Sequence, residues 1–199
     1  MQLGGRKNMR NLHRIFIAIS LPDYAIKKLA NLQDKWKDEV PAVWVKPYNL
    51  HITLAFLGNS TDHEVYNICE LAKEVGEGQK PFTVELNKIL YGPSKDNPRM
   101  LWVTGDKSKD LADLKNNFEK LLLDSEDERF LTGKKGISPH ITLCRIKQWQ
   151  WKQIEPEERP QIESDIDIKF DVNSIEVIES RLKRGGAEYT VLESVQFSE

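Results

Sequence analysis

The tetrapeptide His-Ile-Thr-Leu stands twice in this 199-residue chain, as His51-Ile52-Thr53-Leu54 and as His140-Ile141-Thr142-Leu143, and the two copies hold half of its four histidines. On a β-strand successive side chains point to opposite faces. Each copy therefore buries Ile and Leu on one side and offers His and Thr on the other. Two such strands around a shared cleft would bring two imidazoles and two hydroxyls onto one ligand, a set of parts suited to acid-base chemistry on a phosphate.

The rest of the chain supplies a scaffold for those strands. Residues 14–20 (RIFIAIS) read as a buried strand, and Pro22 opens a helix to about residue 37 with Ile26, Leu29 and Trp36 at helical spacing. Residues 44–47 form an extended lead-in, because the residue before Pro47 is pushed out of the α region. The first motif strand then runs from Leu50 and ends at Gly58. Residues 61–75 predict a helix ended by Gly76 and Gly78. Residues 82–90 and 100–104 predict a strand pair around a Pro/Gly-rich turn, and residues 110–123 a further amphipathic helix. Beyond the second motif, residues 166–170, 174–182 and 188–197 predict strands, the last two joined at Gly185-Gly186. The order predicts an α+β fold with two related lobes. Residues 1–12 are expected to be a disordered leader and 13–199 a single bilobal domain.

Composition narrows the function. The 29 Lys and Arg are offset by 31 Asp and Glu, a net charge of −2, which argues against a strongly basic nucleic-acid binder and confines any polyanion site to a local patch. The chain has no apolar run of membrane-spanning length and no hydrophobic secretory stretch, so no membrane association and a cytoplasmic location are expected. Cys69 and Cys144 lie far apart without a Cys-x-x-Cys spacing, which suggests reduced thiols in or near the core.

One His-x-Thr carries no weight, since three-residue patterns arise by chance. Two copies in the contexts Trp44-Val45 to Asn49-Leu50-His51-Ile52-Thr53-Leu54-Ala55-Phe56-Leu57-Gly58 and Ser138-Pro139-His140-Ile141-Thr142-Leu143-Cys144-Arg145 are specific. With Arg14-Ile15-Phe16-Ile17-Ala18-Ile19 before them and Ser180-Arg181-Leu182 to Tyr189 after, the chain resembles the 2H phosphoesterase superfamily. Within it the likeness is to the RNA 2′,3′-cyclic phosphodiesterases, also called 2′-5′ RNA ligases. The resemblance implies a bilobal 2H phosphoesterase-like fold, two antiparallel-sheet lobes with outer helices around a central cleft. It also implies hydrolysis of a terminal 2′,3′-cyclic phosphate to a 2′-phosphomonoester.

Ring opening by water needs a base, an acid for the departing ribose oxygen, and donors for the phosphoryl oxygens. Imidazole titrates at about 6.5, so one neutral and one protonated histidine could fill the first two roles near pH 7. The resemblance orders them, with His51 as proton donor to the 3′ oxygen and His140 as proton acceptor from water. Thr53 and Thr142 would donate to non-bridging oxygens, and Arg145 would add a charge-assisted contact. Strict alternation puts Arg145 on the face opposite His140, so it reaches the cleft only if the strand bends or ends. No metal and no cofactor is required by the scheme.

Phe16, Trp44, Tyr48 and Trp149 are candidates for stacking on a base, and Lys46, Arg99, Lys134, Lys135 and Arg181 for phosphate contacts. The loop carrying Lys134 and Lys135 could border the cleft. His13 and His63 have no partner motif and read as structural, as do Trp36 and Trp151. The expected partners are RNA ends or small nucleotides with 2′,3′-cyclic phosphate, with no obligate protein partner and a monomeric state. The competing readings are 2′-5′ RNA ligation, a non-catalytic RNA or nucleotide-binding module, and turnover of a different cyclic or 2′-5′ phosphodiester.

Overall fold

The computed structural model describes residues 12–124, 138–184 and 186–198. Its strands are β1 (His13–Ser20), β2 (Ala42–Trp44), β3 (His51–Ser60), β4 (Phe82–Gly92), β5 (Met100–Thr104), β6 (His140–Ile146), β7 (Ser164–Val172), β8 (Ser174–Lys183) and β9 (Gly186–Gln196). They join one antiparallel sheet in the order β7-β4-β5-β6-β3-β1-β8-β9, with β2 added alongside β6. The order reads outward from the centre as two matching halves, β3-β1-β8-β9 and β6-β5-β4-β7. The two motif strands meet there through a single residue pair, Ile52 with Ile141. The expected two-lobed α+β arrangement is the observed one. The chain leaves the first lobe after β3 and returns to it with β8, so the lobes are interleaved in sequence.

Helices α1 (Asp23–Trp36), α2 (Asp62–Glu77), α3 (Lys109–Asp124) and the short α4 (Gln148–Trp151), with two single-turn 3-10 helices at Pro47–Asn49 and Pro156–Glu158, complete the described elements. Helix α2 starts at a capping box, in which Thr61 and Glu64 each accept a hydrogen bond from the other's backbone N–H. Its Ile68, Ala72 and Val75 are buried at helical spacing, and it packs on β8, β9 and α3. Gly76 does not end this helix as expected. It lies inside it because a Cβ there would come within 2.3 Å of Val195 Cγ1, so the glycine permits close approach to β9.

Helix α1 follows β1 of one lobe and packs on the other. Tyr24 Oη donates to the Lys169 carbonyl at 2.7 Å and Lys28 Nζ to that of Asp167 at 2.5 Å, both on β7. The buried Gln33 amide donates to the carbonyls of Val45 and Leu143 at 2.7 and 2.9 Å. A buried amide satisfied by two carbonyls ties the helix to the strand carrying the second motif.

β1 shows why both lobe faces are apolar. Ile15, Ile17 and Ile19 enter the main core, whereas Phe16 and Ala18 face the other way and form a second cluster with Ile178 and the partly buried Tyr189. That second face is the floor of the cleft.

Candidate active site

An antiparallel pair centred on Ile52 and Ile141 sets His51 toward Thr142 and Thr53 toward His140. Both isoleucines are buried, at 1% and 0% exposure, so the opposite alternation turns the two His/Thr pairs outward together. All four side chains line one cavity of about 750 Å³ between the lobes.

The strands then break their alternation in the same way. Against β1, Ala55 pairs with Ile17 and Thr53 with Ala18, which leaves Leu54 as an extra residue. Against β5, Cys144 pairs with Leu101 and Thr142 with Trp102, which leaves Leu143 as the extra residue. Each bulge buries two consecutive residues, Leu54-Ala55 and Leu143-Cys144, and moves the next side chain to the opposite face from the one simple alternation gives it. Phe56 and Arg145 consequently line the cleft with the histidines. Simple alternation, which placed Arg145 on the far face, is corrected by the bulge.

Each histidine is hydrogen bonded to backbone two residues earlier. His51 Nδ1–H donates to the Asn49 carbonyl at 2.7 Å, leaving Nε2 to face Thr53 Oγ1 at 2.9 Å. His140 has the corresponding bond to the backbone of Ser138. Burial pulls both imidazoles below the ordinary histidine range, only partly opposed by these backbone bonds, and His140 further disfavours charge on His51. In the free protein burial thus biases both toward the neutral form.

Aromatic rings fix both imidazole planes. His51 packs against Phe16 at 5.0 Å and Tyr189 at 5.5 Å between centroids, the latter edge-on, while Trp102 lies 4.8 Å from His140. Trp102 lies over β4 because Gly92 has no side chain, since a Cβ there would be 2.2 Å from Trp102 Cε3. Thr142 Oγ1 rests 3.9 Å from Met100 Sδ, a weak contact that a stronger acceptor can displace. Among the described residues no group of three or more His, Cys, Asp or Glu is placed to hold a metal ion.

The LigT-like phosphoesterase model matches residues 19–102. The chain is 28% identical to the RNA 2′,3′-cyclic phosphodiesterase of Aquifex aeolicus over 85% of this chain and 92% of that one. It is 29% identical to the protein of the same name from Thermus thermophilus, over 90% and 88%. The crystal structure of TT0787 of Thermus thermophilus superposes with a TM-score of 0.78 at 27% identity, covering 92% of this chain and 97% of that one. The chain is thus similar to LigT-like phosphoesterases in both sequence and fold. Escherichia coli LigT complexed with 3′-AMP shares the fold, with a TM-score of 0.73 at 22% identity over 95% and 100%.

In this LigT-like cleft the five site residues expected from sequence, His51, Thr53, His140, Thr142 and Arg145, come together, joined by Phe16, Trp44 and Lys46. Tyr48, Arg99 and Trp149 are not among the lining residues. Arg181 is held by Glu179 at 2.9 Å, and Lys134 and Lys135 lie outside the described residues. His13 is structural, bonded to Asp62 and Glu179 at 2.8 Å each. Arg14, Phe56, Trp102 and Tyr189 were missed as site residues. For Phe56 the signal was the run Leu54-Ala55, two apolar residues in succession where alternation demands one, matched by Leu143-Cys144 before Arg145.

Proposed function

We propose that this LigT-like phosphoesterase hydrolyses the 2′,3′-cyclic phosphate at an RNA or nucleotide 3′ end to a 2′-phosphomonoester, without a metal ion. The observation that carries the reading is the seam at Ile52 and Ile141, which sets two histidines and two threonines around one cleft. The names of the Aquifex and Thermus relatives point the same way.

In this reading His51 is the general acid. Its Nδ1–H is committed to the Asn49 carbonyl, so Nε2 is the nitrogen that carries a proton to the 3′ oxygen. His140 is the general base that takes a proton from the attacking water. Each transfer contributes roughly 10²–10⁴-fold. Thr53 and Thr142 donate to the non-bridging oxygens, and the Arg145 guanidinium offsets the charge that builds on them. The negative phosphodiester supplies a counter-charge that draws a proton onto His51 as substrate binds. The reading extends to a cytoplasmic monomer, supported by two unpaired thiols that suit a reducing compartment.

The test is incubation with a 2′,3′-cyclic phosphate-terminated oligoribonucleotide in excess EDTA, with the product compared chromatographically against 2′- and 3′-phosphate standards. A 2′-phosphate is expected. A 3′-phosphate would reverse the His51 and His140 roles. Activity lost in EDTA and restored by a divalent ion would overturn the metal-free scheme. Ligation, which needs a ribose hydroxyl to outcompete water in an open cleft, is expected to be minor.

A further inference from the structure

Among the described residues three cations line the cleft. Lys46 is held 5.6 Å over the ring of Tyr48, whereas Arg14 and Arg145 have no carboxylate partner among those residues. Arg145 has a place in the hydrolysis, but Arg14 has none. It stands on β1 of the His51 lobe with its side chain exposed, two residues before Phe16 and paired in register with Asn59 of β3. Tyr189 lines the same cleft and feels the charge of both guanidiniums. Burial pushes its phenol up, and the charges of Arg145 and Arg14 both oppose that rise.

Displacement at phosphorus is in line, so water enters opposite the oxygen that leaves. With the proton donor His51 at the 3′ oxygen and His140 at the water, the ribose lies on the His51 side of the phosphate. A cyclic phosphate ends its strand, so every nucleotide 5′ to it extends the same way, across β3 and β1. That wall presents the Phe56 ring, 64% exposed, and then Arg14. The water side of the lining presents Trp102 and Met100.

We propose that Arg14 binds the phosphodiester joining the terminal nucleotide to its 5′ neighbour, with Phe56 against the terminal base, so that the favoured substrate is an RNA strand end and not a free cyclic mononucleotide. This rests on the acid and base roles given above. A guanidinium without a carboxylate partner is free to make a bidentate contact with phosphate. An exposed ring accepts any base by stacking, which gives strand binding without sequence preference.

The experiment compares kcat/KM for adenosine 2′,3′-cyclic monophosphate with that for the dinucleotide ApA ending in the same cyclic phosphate. The native protein is expected to favour the dinucleotide by about 10–100-fold, the value of one charge-assisted contact. Arg14→Gln should bring the ratio of the two close to one. Arg145→Gln should lower both rates and leave the ratio standing. A dinucleotide with an uncharged methylphosphonate linkage should behave as a mononucleotide with the native protein, a readout independent of any variant's folding. Mononucleotide turnover with a native ratio near one, or a ratio unmoved by Arg14→Gln, overturns this inference and leaves the hydrolase reading intact. Failure to turn over either substrate overturns that reading and this one with it.

Discussion

Arg145 and Phe56 are counterparts: each stands five residues after its motif histidine, and each is turned into the cleft by a bulge whose extra residue is the motif leucine, Leu143 or Leu54. The two halves of the site repeat His, Thr and bulge, then diverge at this one place. A symmetric pair of walls would hold a phosphate equally well in two orientations. A guanidinium on one wall and a phenyl ring on the other give the cleft a charged side and an apolar side, and hence a direction.

Arg145→Ala is expected to lower kcat/KM by about 10–100-fold, the usual loss for one hydrogen-bonded charge. Arg145→Lys should recover only part of this, because a point charge does not reproduce the planar fork. Steady-state kinetics of the three proteins tests the order. Equal activity of native protein and Arg145→Ala would remove Arg145 from the phosphate site.

His51→Ala and His140→Ala should each lower kcat by roughly 10²–10⁴-fold with the fold retained. The double variant should be little worse than either single one, because acid and base act in one transition state. Kinetics on the three variants, with circular dichroism to show intact structure, checks both points. Full activity of either single variant would sink the mechanism.

The pH profile follows from burial of both imidazoles. Each titrates below about 6.5 in the free protein. The proton donor is charged only under acid conditions, so kcat/KM should fall with a midpoint under about 6.5 as pH rises. Bound phosphodiester favours the imidazolium, and the corresponding limb of kcat should lie higher. Profiles of the two constants that coincide would contradict this coupling between substrate charge and His51. The same shifts affect stability. Between the folded-state value and about 6.5 the unfolded chain binds protons that the native imidazoles do not, so these two residues destabilise the fold as pH falls through that window.

His13 acts in the opposite sense. Hydrogen bonds to Glu179 and then Asp62 raise its pKa above 6.5. Its stabilising effect is complete below about 6.5 and is lost as pH rises through the folded-state value. His13→Gln should therefore lower the melting temperature more at about pH 5.5 than at about pH 8.5, with kcat unchanged. An equal loss at both values would show that the ion pairs contribute nothing.

Strand and helix positions were legible because each element buries one face and its sequence alternates with the matching period. The motif histidines and threonines were legible through duplication. What escaped were features made by departures from period. The bulges reverse the face of Phe56 and Arg145, and a two-residue signal was too slight to announce them alone. Gly76 looked like a helix stop because its neighbour Val195 lies more than a hundred residues away. Arg14 looked like a strand terminus until β3 and β8 closed around β1 and made the strand's outer face a cleft wall.

Gly92 offers a test of long-range support for His140. It shares no contact with a bound phosphate in this scheme, yet it lets Trp102 lie flat over β4, and Trp102 packs against the His140 ring at 4.8 Å. An alanine Cβ would stand 2.2 Å from the indole, so the ring must move. Overpacking of this kind costs about 1–3 kcal/mol. Gly92→Ala is expected to lower the melting temperature and to reduce kcat more than it raises KM, because His140 loses the surface that fixes its plane. Adding Trp102→Leu to Gly92→Ala should remove the overlap and recover stability while kcat stays low, which separates the packing role of the indole from its positioning role. Recovery of both quantities together would mean that the overlap alone caused the loss and that Trp102 does not position the base.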